Sequence, residues 1–365
     1  MERQYYLPHS PIDFHFRQSA RDFVVDEIPL YPFSGEGEHL VLHIRKKNLS
    51  TWQMLDIFSN HLGIKARDIG YAGLKDKNAQ TKQYISILKK FEPMLENFSH
   101  EGIKILERQY HDNKIRIGHL KGNRFFIRIK KVNPTSAMKI QEALKAIKKN
   151  GMPNYFGFQR FGNDGENYLK GKAILEGELK EKNKKLNQFY INSYQSYLFN
   201  AWLSRRIQIS KLTESFSAEE LSTVINLPKE ELALMKGQKH PLKLIHGDVM
   251  MHYPYGKIFH YESEEEIERF TKHDISVTGL LSGKRATRAE GFARSIEEEF
   301  DTIEKGIDGA RRYGWIYPEE VEGQYKENEA WFEFHFTLPK GCYATVLLEE
   351  IAKRQLQNDE SQEEE

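Results

Sequence analysis

Phe332-Glu333-Phe334-His335-Phe336-Thr337-Leu338-Pro339-Lys340-Gly341 lies near the end of a 365-residue chain and alternates large apolar side chains with polar ones before a Pro/Gly turn. Alternation of period two places Phe332, Phe334, Phe336 and Leu338 on one face of a strand. A short apolar helix through Ile351 follows. Residues 154–310, just upstream, are rich in helix signals and loops. A lone strand and helix after such a region implies that the chain returns to complete a sheet begun much earlier.

That earlier sheet is legible in the first 150 residues. Within 12–45, Phe23-Val24-Val25 follows an acidic turn, Gly35-Glu36-Gly37 makes a loop, and Leu40, Leu42 and Ile44 alternate with Val41, His43 and Arg45. Ser50 or Thr51 caps a helix carrying Leu55, Phe58 and Leu62 to a stop at Gly63. A loop from Gly70 to Gln80 leads to a strand through Tyr84–Leu88. Alternation returns at Ile115 and Ile117 and at Phe125, Ile127 and Ile129, before a helix from near Ser136 to Gly151. This order predicts an α+β fold on a mixed, largely antiparallel sheet. The expected division is 1–153 for the first part of the main domain, 154–310 for an inserted, helix-rich α/β domain, 311–352 for the closing strand and helix, and 353–365 for an acidic, disordered tail.

The chain carries 54 Lys+Arg against 53 Asp+Glu, a formal charge of +1. The average conceals a segregation: residues 101–150 hold 13 bases and 4 acids, while 251–310 are net −5. A basic segment within a balanced chain points to a polyanion-binding face. Lys139, Lys145, Lys148 and Lys149 are also explained by a solvated helix face, since apolar residues recur between them at helical spacing. The single cysteine, Cys342, excludes a disulfide framework and cysteine-based metal cages. No segment approaches the ~20 apolar residues of a spanning helix, and the polar start Met1–Tyr6 is not that of a signal peptide. A cytoplasmic protein without membrane contact is expected.

Several chemistries fail on spacing. Gly279-Leu280-Leu281-Ser282-Gly283-Lys284-Arg285 has too few residues between its glycines for a phosphate loop, and Arg where Ser or Thr would hold magnesium. The third glycine of a dinucleotide fingerprint is missing after Gly35 and Gly37. His39 and His43 share a strand face but stand ~13 Å apart, too far to ligate one ion. The remaining candidate is the loop Gly73-Leu74-Lys75-Asp76-Lys77-Asn78-Ala79-Gln80-Thr81-Lys82-Gln83, where neighbouring lysines are expected to hold an aspartate ionised. A solvated Lys-Asp-Lys turn explains the same pattern.

Tyr71-Ala72-Gly73-Leu74-Lys75-Asp76-Lys77, continuing through Ala79, Thr81 and Gln83, resembles the signature of the bacterial tRNA pseudouridine synthase D (TruD) family. Further blocks follow in that family's order: Asp22-Phe23-x-Val25-x-Glu27, Gly35-x-Gly37-x-His39, Gly122-Asn123-x-Phe125, Pro153-Asn154-Tyr155-Phe156-Gly157-x-Gln159-Arg160-Phe161-Gly162, Gln195-Ser196-Tyr197-Leu198-Phe199-Asn200, Ala310-Arg311-Arg312 and Leu338-Pro339-x-Gly341-x-Tyr343-Ala344-Thr345. They span nearly the whole chain. Two departures stand out: the family's Gly-Pro-Leu-type loop appears as Thr278-Gly279-Leu280-Leu281 without its proline, and Tyr313 follows the double arginine where relatives often have Pro.

The resemblance implies a pseudouridine synthase catalytic core with a family-specific insertion, and an isomerase that converts uridine, at position 13 in the tRNA D-stem, to pseudouridine. It implies a tRNA partner, no cofactor, no metal and a monomer. Asp76 matches the catalytic carboxylate. Phe125 matches a ring stacked on the base, Arg17 a basic partner of the carboxylate and Tyr343 a wall of the uracil pocket. Asn123 suits the Asp76 loop or the uracil edge. Each also has a plainer reading: core residues for Phe125 and Tyr343, an Asx turn for Asn123, a surface side chain for Arg17. Lys75, Lys77, Lys121, Arg124, Arg160, Arg311 and Arg312, with Arg128, Lys130 and Lys131, are the candidates for the RNA backbone. A non-catalytic RNA-binding protein, or a carboxylate-based nuclease or glycosidase, are the rival functions.

Overall fold

Ser50 and Gln53 exchange hydrogen bonds in a capping box, each side chain accepting from the other's backbone N–H, and so start the first helix where the sequence predicts. In the computed structural model, which describes residues 2–162, 164–303 and 307–356, that helix, α1 (Thr51–Leu62), follows β1 (Phe23–Pro29) and β2 (His39–Lys47) and ends at Gly63 with φ of 62°. Then come β3 (Gly70–Tyr71), β4 (Gln80–Leu88), β5 (Ile103–His111), β6 (Leu120–Ile129) and α2 (Pro134–Asn150).

The helix-rich stretch contains β7 (Met152–Pro153), α3 (Asn167–Glu176), α4 (Lys184–Ser215), α5 (Ala218–Leu221), α6 (Lys229–Gly237), β8 (Val249–His252), β9 (Ile258–His260), α7 (Glu265–Thr271), β10 (Ile275–Leu281), α8 (Gly291–Glu297), β11 (Ala310–Tyr313) and β12 (Trp315–Ile316). It also builds a sheet of its own, in the order β11-β10-β8-β9. The chain closes with β13 (Glu319–Lys326), β14 (Trp331–Pro339) and α9 (Ala344–Ala352).

The return to the first sheet is real: β14 lies antiparallel on β6, pairing Phe336 with Phe125 and Phe334 with Ile127. The sheet runs β13-β14-β6-β1-β4-β2-β5, with β3 on β4. The β1–β4 pairing is parallel and the others are antiparallel. The fold is therefore α+β. Two strand expectations change. Ile115 and Ile117 form no strand, because Ile115 is buried with its N–H donated to Ser86 Oγ while Ile117 is exposed in the turn before Gly118. The edge position belongs to β5, whose sequence has one buried residue, Ile103, and no clean alternation. Likewise, the closing strand is half of a hairpin, for β13 has the largely polar sequence of a sheet edge.

By its contacts the chain forms two compact units: Ile12–Leu144 with Pro318–Gly341, and Met1–Pro11 with Lys145–Tyr317 and Cys342–Gln355. The break falls within α2 instead of at Pro153, and α9 groups with the helix-rich unit. Of the expected tail, 357–365 lie outside the described residues. In the sheet unit, Leu40, Leu42 and Ile44 pack with Met54, Leu55 and Phe58 of α1. The helix-rich unit holds Arg206 of α4 buried against Asp248, at 2.5 and 2.8 Å. Among the described residues no helix is long and apolar enough to cross a membrane.

Glu350 of α9 is fully buried and accepts the backbone N–H groups of Tyr6 and Leu7 at 2.8 and 3.0 Å, tying the N-terminal segment to the last helix. Burial pushes its carboxyl up to about 7 from the usual 4.5. The folded state thus favours the protonated form, and stability is lost as pH rises from about 4.5 and levels off above about 7. Glu350→Gln copies the protonated shape. Urea midpoints measured against pH are expected to show the variant gaining on the wild type across that window and holding a constant advantage beyond it.

Candidate active site

Register places Lys46 opposite Thr81, Thr81 opposite Val25, and Val25 opposite Phe125. These four side chains form one row on one face, across β2, β4, β1 and β6, with strands ~4.8 Å apart. The loop from Ala72 to Ala79 joins β3 to β4 and is pinned to that face. Lys75 bonds through its ammonium to the buried carboxylate of Glu27, whose other oxygen accepts the N–H of Tyr84 at 3.2 Å. The N–H of Lys75 donates to Thr51 Oγ1 at 2.9 Å, and Thr51 in turn donates to Gln83 Oε1 at 3.2 Å. From below, Lys46 Nζ donates to the carbonyls of Leu49 at 2.5 Å, Asp76 at 3.0 Å and Lys75 at 3.5 Å.

Asp76 is exposed as a residue, yet protein crowds its carboxyl. The two observations agree if the group is open to water on one side and walled on the others. Desolvation raises its pKa above the ordinary 3.8, against the lowering effect of Lys46 and then Lys75. The sequence led us to expect flanking lysines holding the carboxyl ionised. Instead burial outweighs them, the leading cation comes from β2, and Lys77 points into solvent. A carboxyl raised by burial and partly balanced by cations is a poised base or nucleophile.

Asn123 sits inside β6, opposite Glu27, which removes the Asx-turn reading. Its Oδ1 is buried without a hydrogen-bond partner, as are Thr81 Oγ1 and Gln83 Nε2. Buried polar atoms with unmet demand call for a partner, a water or a polar ligand. Phe125 is only 6% exposed, with its ring stacked on Phe336 at 5.4 Å and edge-on to Phe23 at 6.2 Å. The ring is thus packed within the sheet face beside these two phenylalanines.

Arg17 lines a recess of about 880 Å³ on this unit, together with Arg21, Asn78, Lys130, Lys131 and Trp331. Asn78 connects the recess to the Asp76 loop. Within it Lys130 already meets Asp22 at 2.9 Å. Lys121 is exposed. Arg124 alternates to the opposite face from Asn123 and Phe125, where it grips Glu320 at 3.0 and 3.4 Å. Arg128 likewise bonds Asp22 and Glu333.

Arg160, Arg311, Arg312 and Tyr343 belong to the helix-rich unit. Arg311 is buried against Glu297 and Thr278, and Arg312 lies 4.0 Å over the Phe156 ring while bonding Asn154 Oδ1 at 2.8 Å. Both guanidinium groups thus make contacts inside the helix-rich unit. Arg160 is half-buried and donates to Ser196 Oγ at 3.1 Å. Tyr343 precedes α9 and meets the Phe156 ring edge-on at 6.2 Å. Lys46 is the site residue that sequence reading passed over. The signal was present: the inward alternation of Leu40, Leu42 and Ile44 continues to position 46, where a lysine on a core face needs a reason.

Removing one member of a buried ion pair leaves the other charge uncompensated. Lys75→Met is therefore expected to destabilise the protein by about 3–5 kcal/mol in urea unfolding, with part of the loss recovered when Glu27→Gln is added. Unchanged stability in the single variant would show that Glu27 is not a buried charge.

Comparison with known proteins gives the family. The family profile of tRNA pseudouridine synthase D (TruD) matches residues 1–186 and 179–351. The chain is 58% identical over 357 residues to tRNA pseudouridine synthase D of Sulfurimonas denitrificans, covering 98% of this chain and 100% of that one. It is 49% identical over 366 residues to the protein of that name from Helicobacter pylori (strain Shi470), covering 96% of each. A solved structure, the putative tRNA pseudouridine synthase D (TruD) from Methanosarcina mazei, shares the fold with a TM-score of 0.69, 22% identity and 97% coverage of both chains. With both halves of the chain matched and relatives similar end to end, the chain belongs to the tRNA pseudouridine synthase D (TruD) family, isomerases that act on uridine in RNA.

Proposed function

We propose that this protein converts uridine to pseudouridine in tRNA, at position 13 of the D-stem, with Asp76 as the essential carboxylate. The observation that carries this reading is the Asp76 loop itself: a carboxyl with a raised pKa, on a loop braced by Lys46, Thr51 and the Lys75–Glu27 pair. The isomerisation breaks the N1–C1′ bond, turns the uracil and rejoins it through C5. An ionised carboxylate serves it either at C1′ or by taking the 2′ proton. It needs no net oxidant, energy source, cofactor or metal. Asn123 Oδ1, an unpartnered buried acceptor, suits the N3–H of the uracil. Extruding a nucleotide costs a few kcal/mol, which must be offset by grip on the flanking backbone. The recess with Arg17, Arg21 and Lys131 supplies cations for that grip.

One incubation separates this function from its rivals. Purified protein with an unmodified tRNA transcript, in EDTA, is expected to form pseudouridine at position 13 without releasing uracil or cutting the chain. Binding without product would identify an RNA-binding protein, while free uracil or cleavage would identify a glycosidase or nuclease. Asp76→Asn is expected to lower turnover by at least about 10²-fold with tRNA affinity retained. Because the carboxyl must be ionised and its pKa is raised, wild-type turnover should fall on the acid side at a pH above the 3.8 of a free aspartate. Affinity for tRNA should drop steeply with salt as phosphate counterions are displaced; Arg21→Ala and Lys131→Ala are expected to flatten that dependence by about one unit of log–log slope each.

A further inference from the structure

Beneath the Asp76 loop lies an ammonium in an unusual setting. Lys46 is wholly excluded from solvent. Its hydrogen bonds go to the backbone carbonyls of Leu49, Lys75 and Asp76, so among the described residues its charge is not neutralised by a bonded carboxylate. A buried cation without a bonded anion is costly, and nothing in ordinary strand packing calls for it. The other charges nearby are accounted for. Lys75 is committed to Glu27 from β1, Lys77 is in solvent, and the first turn of α1 has no acidic residue. On β4 and β5 the residues opposite Lys46 are the uncharged Thr81 and Ile103. Arg17 lines the neighbouring recess and is not among the cations acting on the Asp76 carboxyl, and Asp76, whose carbonyl Lys46 bonds, is the anion that acts on the Lys46 ammonium.

We propose that Lys46 is a positioning residue for the isomerisation, holding the Asp76 loop by its carbonyls and supplying the counter-charge that keeps the Asp76 carboxylate ionised. The assignment rests on the reading of Asp76 as the essential carboxylate. Two features of the site agree with it. Lys46 is the first of the cations that oppose the effect of burial on Asp76, ahead of Lys75. Burial pushes Lys46 itself down only to about 8, with Asp76 acting to raise it, so the ammonium remains charged at neutral pH. One side chain therefore does two jobs: its hydrogen bonds to the carbonyls of Lys75 and Asp76 fix where the carboxylate stands, and its charge helps fix the protonation state.

The test is turnover of an unmodified tRNA transcript, measured against pH, for the wild type and for Lys46→Met, Lys46→Gln and Lys46→Arg, with thermal unfolding recorded for each. The uncharged variants are expected to lose kcat by up to about 100-fold, the cost of a misplaced reacting group, while KM for tRNA stays within about twofold. Their remaining activity should fall on the acid side at a higher pH than that of the wild type, because the carboxyl has lost its counter-charge. Lys46→Arg should return that acid limb to the wild-type position and restore part of kcat. If Lys46→Met does not fold, the comparison of Lys46→Gln with Lys46→Arg decides the matter. Wild-type kcat in a folded uncharged variant, or a loss of kcat with an unmoved acid limb, would overturn the proposal. Full turnover by Asp76→Asn would instead overturn the reading of Asp76 on which it rests.

Discussion

The site depends on how charge is buried under one loop. A carboxylate useful for chemistry must be taken partly out of water, and the same desolvation drives it toward its neutral form. Here two cations and two anions meet under the loop: Lys75 pairs with Glu27, and Lys46 bonds the carbonyl of Asp76. None of these groups could be left alone on the sheet face. Loop, strand and helix are therefore cross-linked by polar contacts that a merely hydrophobic interface would not provide, Thr51 of α1 binding the N–H of Lys75 and Lys46 of β2 binding its carbonyl. Such networks specify one arrangement when fully satisfied and are costly when broken.

The sheet supplies the frame for that cluster. β1, which carries Glu27, is held between the parallel strand β4 and the antiparallel strand β6. β6 is then covered on its far side by β14, which arrives from some two hundred residues downstream. Without β14, Phe125 and Ile127 would lose Phe336 and Phe334 as cross-strand neighbours, and the strand bearing Asn123 would become an exposed edge. The closing segment thus completes the floor on which the Asp76 loop is fastened.

Positive charge is distributed by the same logic of faces. The basic character of residues 101–150 is divided by strand alternation: Arg124 and Arg128 leave the face of Asn123 and pair with Glu320, Asp22 and Glu333. Arg311 and Arg312 turn inward to Glu297 and Asn154. On the sheet unit, Arg17, Arg21, Lys130 and Lys131 come together at one recess, and Lys121 is exposed. Part of the positive charge of the 101–150 segment is therefore taken up by internal ion pairs.

Period-two and helical patterns, caps and turn glycines are local, and they sufficed for α1, β2, β6, α2 and the returning strand β14. The family motifs likewise located the Asp76 loop and Asn123. Edge strands β5 and β13 escaped because a strand with little buried surface has little apolar alternation to read. Lys46 and the inward-turned arginines escaped for a different reason. A side chain's partner and its dielectric surroundings are set by residues tens to hundreds of positions away, brought together only by the sheet. The sequence by itself determined which groups were available for the chemistry; the tertiary structure decided which were buried, paired or left open, and at Asp76 it set desolvation against cations drawn from β2 as well as from the loop.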